Sequence, residues 1–113
     1  MRHGLKAEER IESALIDIAY AYDIPLVATN DVYFSDEGMY LAHDALLCIA
    51  GGSYVAETNR RKVTREHRFK SGAEMAQLFA DIPEAIANTL VIAQRCAYMP
   101  PARKPILPAF SDG

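Results

Sequence analysis

The feature that most constrains this chain is a single short apolar run that reads as a β-strand, set among segments that read as helices. The run is residues 25–34, PLVATNDVYF. Leu26, Val27 and Ala28 form a candidate strand core, bounded by Pro25 before it and by Thr29, Asn30 and Asp31 after it. A lone strand leaves N–H and C=O groups unpaired along both edges, and burying them costs more than local propensity recovers. Such a chain must either pair with a second copy or supply part of a sheet that other polypeptide completes. In α/β proteins chemistry gathers just past the carboxyl ends of strands, which makes Asp31 the first residue to question.

The remaining pattern is helical. In residues 6–22 the apolar side chains Ile11, Ala14, Leu15, Ile18 and Tyr22 recur at helical spacing, and the break Asp23, Ile24, Pro25 ends the run. Ser35 is placed to cap a second helix with Asp36 and Glu37 in its first turn. Met39, Ala42, His43, Leu46, Leu47 and Ala50 mark its expected buried face, and Gly51 and Gly52 stop it. Residues 53–70 read mainly as loop, with short extended pieces at 62–64 and 68–69. Ser71 and Glu74 form a capping box for a third helix with Met75, Leu78 and Phe79 inward. Asp81, with Pro83 in the first turn, opens a fourth, lined by Ile86, Leu90, Ala93 and Ala97. From Met99 onward Pro100, Pro101, Pro105 and Pro108 favour an extended tail that reads as a connector.

The length, 113 residues, suits one domain, and a hydrophobic content of 50% suffices for a core. A net charge of -3 gives no global reason to expect an anionic partner. Cys48 and Cys96 lack paired ligand spacing and lie in helical patterns, which predicts buried thiols in a reducing compartment. No apolar run reaches the roughly 18 residues of a membrane span, and the amino terminus lacks a signal-peptide core. A cytoplasmic protein is expected.

Several ordered blocks carry a family resemblance: residues 26–34 (LVATNDVYF), 42–49 (AHDALLCI), 69–71 (FKS), 78–89 (LFADIPEAIANT) and 92–96 (IAQRC). Together the chain resembles the bacterial DNA polymerase III α subunit, in the last part of its amino-terminal PHP (polymerase and histidinol phosphatase) domain. Residues 106–110 (ILPAF) resemble the segment leading toward the palm. The resemblance implies residues 1–98 as the C-terminal part of the PHP domain and residues 99–113 as a Pro-rich connector toward the palm. It also implies that Met1 opens inside a longer polypeptide whose early PHP strands and palm are not part of this chain. The expected fold class is then α/β but mostly α, a partial (β/α) PHP barrel fragment with about four helices and one main strand.

In family members with an active PHP site, a late Asp-x-His motif supplies metal ligands. Here Asp31 is kept and Tyr33 replaces the histidine. A phenol with a pKa near 10 is a poor ligand beside an imidazole, and one carboxylate does not hold a catalytic metal. Asp31 thus reads first as a structural cap or loop residue, in keeping with turn chemistry, and otherwise as a vestigial metal position. His43 lies on the apolar face of the second helix and reads as a packed, hydrogen-bonded core histidine, with no pairing to the adjacent Asp44. His3 and His67 lie in polar surroundings and read as exposed.

The cluster Arg60, Arg61, Lys62, Arg65, Arg68 and Lys70 holds half of the 12 Lys and Arg residues. It reads as a solvated loop or as a contact for a phosphate backbone or a protein partner; no aromatic platform for bases accompanies it. The resemblance implies DNA, a proofreading exonuclease and other replisome subunits as partners of the parent, whose palm uses Mg. No cofactor is expected for this chain itself. The leading expectation is a non-catalytic fragment of a template-directed DNA polymerase. Its rivals are an autonomous helical interaction module that self-associates through its strand edge and apolar faces, and a metal-dependent phosphoesterase.

Overall fold

A computed structural model describes residues 1–106, and the end of the expected connector, including Pro108 and the 106–110 block beyond its first residue, lies outside the described residues. The described chain is helical, with α1 at Lys6–Ala21, α2 at Tyr40–Gly51, α3 at Gly72–Leu78 and α4 at Pro83–Arg95. Short 3-10 turns at Glu37–Met39 and Arg65–His67 precede α2 and α3. Residues 97–106 carry no regular secondary structure.

The expected α/β class and its main strand are not observed. Among the described residues there is no strand or sheet; residues 24–33 run without regular secondary structure, and an isolated parallel bridge joins Phe34 to Arg68. The reason is the missing ladder. The backbone of this segment finds partners one at a time: the Ala28 N–H donates to the Ala85 carbonyl (2.9 Å), and the Asn88 side-chain amide donates to the Leu26 carbonyl (2.8 Å). Farther along, the Tyr33 N–H donates to the His67 carbonyl (2.9 Å), and the Phe69 N–H to the Phe34 carbonyl (2.8 Å). A helix, α4, and a 3-10 turn thus do the work of neighbouring strands, satisfying separate groups without imposing a pleat.

Helix ends follow local chemistry. At the end of α1, Asp23 takes a left-handed backbone (φ 54°), and the Ile24 N–H reaches back to the Ala19 carbonyl (2.8 Å). Asp is among the few non-glycine residues that tolerate that conformation. Gly52 does the same for α2 at φ 62°. Ser71 and Glu74 form the reciprocal capping box expected, the Ser71 N–H donating to Glu74 Oε2 at 2.8 Å and the Glu74 N–H to Ser71 Oγ at 3.3 Å. Ser35 does not cap α2: its hydroxyl donates to Asp36 Oδ2 (2.7 Å), and the helix enters through a 3-10 turn. Asp81 does not cap α4 either, because Ile82 holds that position and Asp81 pairs with Arg2.

The core is small. Ala28, Phe79, Ile82 and Ala85 are buried together, with Ile16, Leu26, Met75, Leu78 and Ile86 packed around them. Two expected helix faces are placed differently. In α2 the buried residues are Asp44 and Cys48, while Leu46 faces solvent. In α4 burial stops after the first turns, leaving Leu90 68% exposed. Cys96 is also exposed, unlike the buried Cys48. The stripe Ile11, Leu15, Ile18 and Tyr22 on α1 is open as well.

Replacing Phe79 by alanine is expected to remove about 3–5 kcal/mol, because its ring is buried in the core. Leu90→Ala, on the exposed part of α4, should stay within about 0.5 kcal/mol. Denaturant melts of the two variants check the core directly, and equal losses would contradict it.

Candidate functional site

At the carboxyl end of the 25–34 segment the chain assembles a cluster of aromatic and imidazole rings. His3, brought there by the amino-terminal loop, is 1% exposed and stacks on buried His67, with ring centroids 4.1 Å apart and planes 16° from parallel. Tyr33 leans against both His67 (5.6 Å) and His43 (5.4 Å), and Phe34 against His43 (5.4 Å). The expectation that His3 and His67 are exposed is therefore corrected: His67 is bonded locally to Thr64, and both rings are buried by stacking on each other and by packing against Tyr33 and the 30–31 segment.

His3 Nδ1 lies 2.8 Å from a Glu8 carboxylate oxygen, and the His3 N–H donates to the other at 2.7 Å. Burial works to raise the Glu8 carboxyl, but the hydrogen bonds from His3 together outweigh it and hold the group below its ordinary range. On the opposite side of the ring, His3 Nε2 accepts the Asp31 N–H (3.2 Å) and lies 3.1 Å from Asn30 Oδ1. The Asn30 amide in turn donates to the Arg68 carbonyl (2.8 Å). The Thr64 hydroxyl donates to the His3 carbonyl (2.6 Å), and the Thr64 N–H donates to His67 Nδ1 (3.2 Å). Burial, then the neighbouring His3, pushes the His67 imidazole below its usual value. The cluster thus ties residues 3, 30–34 and 64–68 into one clasp. His43 packs as expected, but its buried Nδ1 has no hydrogen-bond partner among the described residues, so the expected bond is not observed there.

Asp31, which the resemblance marks as a vestigial metal position, has an exposed side chain and contributes its backbone N–H to the clasp. Among the described residues no group of three or more His, Cys, Asp or Glu side chains is placed to hold a metal ion. Tyr33 stands in the third position of the motif, where a phenol is a poorer metal donor than an imidazole.

The six cations of the 60–70 cluster do not form one surface. Arg60 reaches back to Asp44 on α2 with two parallel hydrogen bonds of 2.6 Å, and the two side chains are only 5% and 10% exposed. The Arg60 bond holds the Asp44 carboxyl below its usual range. Arg65 lies over the Tyr40 ring (4.7 Å) and 3.6 Å from Glu37. Arg68 pairs with Glu74 at 2.7 Å, and Lys70 is buried against the Glu66 carbonyl and carboxylate. Arg61 and Lys62 are exposed and make no ion pair among the described residues.

Arg2 is the other residue that sequence reasoning missed. Its guanidinium bonds Glu12, both oxygens of Asp81 (2.6 and 2.7 Å) and the Leu78 carbonyl (2.6 Å), and covers the Phe79 ring at 4.8 Å. These partners lie on α1 and on the α3–α4 corner, so one planar fork fixes the amino-terminal loop to both. No spacing rule links position 2 to position 81; the only signal is the presence of unclaimed carboxylates in a chain short of core.

Three measurements test this arrangement. Asp44→Ala should lower the thermal midpoint more than Glu37→Ala, because only the former strands a buried guanidinium. Arg68, followed by the Ser71 N–H, holds the Glu74 carboxyl at about 2, below its ordinary 4.5. The stability this contributes is complete above the unfolded value and is lost as pH falls from 4.5 toward about 2. The gap in melting temperature between wild type and Glu74→Gln should therefore close over that window, and a gap unchanged across it would refute the pairing. An NMR titration of His67 should give a midpoint below the ordinary 6.5; a midpoint at or above it would contradict the buried stack.

No family model matches the chain. Curated relatives do, along nearly its whole length. The DNA polymerase III subunit alpha of Caulobacter vibrioides is 57% identical over 112 residues, which is 99% of this chain and 10% of the relative. That of Rickettsia prowazekii is 46% identical over 111 residues, 98% of this chain and 9% of the relative. That of Treponema pallidum is 42% identical over 109 residues, 96% of this chain and 9% of the relative. The chain therefore spans about a tenth of the length of the curated relatives it matches. Identity at this level along almost every residue places the chain, as the counterpart of one segment, in the bacterial DNA polymerase III α-subunit family.

Proposed function

We propose that this chain is a non-catalytic scaffold segment of a DNA-synthesising polymerase, with residues 1–98 belonging to the PHP domain and residues 99–113 running on toward the palm. The observation that carries the reading is identity of 57% along 99% of the chain to a segment making up 10% of a polymerase α subunit. Template-directed nucleotidyl transfer, its Mg ions and its DNA and exonuclease partners belong on this reading to the rest of the polypeptide. The internal pairing of Arg60, Arg65, Arg68 and Lys70 supports the scaffold role, since these cations brace α2, α3 and the intervening turn. Arg61 and Lys62 remain available for a phosphate or acidic partner.

A graft tests the proposal. The matching segment of the Caulobacter vibrioides α subunit is replaced by this chain, and primer extension is measured with Mg. The chimera is expected to retain extension, and Asp31→Ala in it should leave the rate within about twofold while Asp44→Ala lowers the temperature at which activity is lost. The chain alone is expected to show no polymerase or phosphoesterase turnover. Metal-dependent turnover by the chain alone, abolished by Asp31→Ala, would overturn the reading. The exposed stripe on α1 favours one alternative, self-association of an independent helical module. Sedimentation separates the two: a discrete tight dimer supports the module, and a monomer or a loose, concentration-dependent mixture supports the segment.

A further inference from the structure

We draw no further inference here: the strongest candidate, the apolar groove between α1, residues 26–27 and the α3–α4 corner together with the open stripe of α1 beside it, carries nothing because nothing in the structure shows what covers it, and the stacked His3–His67 pair belongs to the site already described.

Discussion

Everything in this chain turns on how the backbone of residues 25–34 finds hydrogen-bond partners without a sheet. A peptide group withdrawn from water must be paired, and this segment has no neighbouring strands among the described residues. The first turn of α4 takes Ala28, an amide farther along α4 takes Leu26, and the turn before α3 takes Tyr33 and Phe34. Each bond fixes a distance between elements that are otherwise loosely associated. The position of α4 beneath the segment and of the 64–69 turn beside it follow from those bonds, as does the placing of His67 where His3 can stack on it.

The sequence was a good guide to much of the local structure, although Ser35 and Asp81 do not cap the helices they precede. The extents of α1 and α3, the capping box of Ser71 and Glu74, and the glycine stop of α2 all depend on residues within a turn of one another, and all are found. Periodicity was a poorer guide to burial. The stripe Ile11, Leu15 and Ile18 and the position of Leu90 are apolar at helical spacing yet face outward. Spacing reports which residues share a face; a second surface is still needed to bury it. The run LVATNDVYF has the composition of a strand, but a strand is defined by its partners, and propensity cannot supply them.

The candidate site was the least legible part. His3 and His67 looked solvated because their immediate neighbours are polar, whereas their surroundings are set by contacts between positions far apart in sequence. The burial of Asp44 is intelligible only with Arg60 in view, since a carboxylate leaves water readily only when a charged, hydrogen-bonding partner goes with it. The basic run 60–70 invited a reading as one electrostatic patch. Four of its members, Arg60, Arg65, Arg68 and Lys70, instead point to separate carboxylates, while Arg61 and Lys62 stay exposed.

The clamp made by Arg2 joins positions far apart in sequence, which sets its cost in chain entropy. Its bond to the Leu78 carbonyl spans 76 residues and its bonds to Asp81 span 79, whereas Glu74 and Ser71, three apart, meet within one turn. Closing the longer loop removes more chain entropy. The Arg2 fork therefore carries a larger ordering cost than the local capping box, offset by its charged hydrogen bonds to Asp81 and its contact with the Phe79 ring.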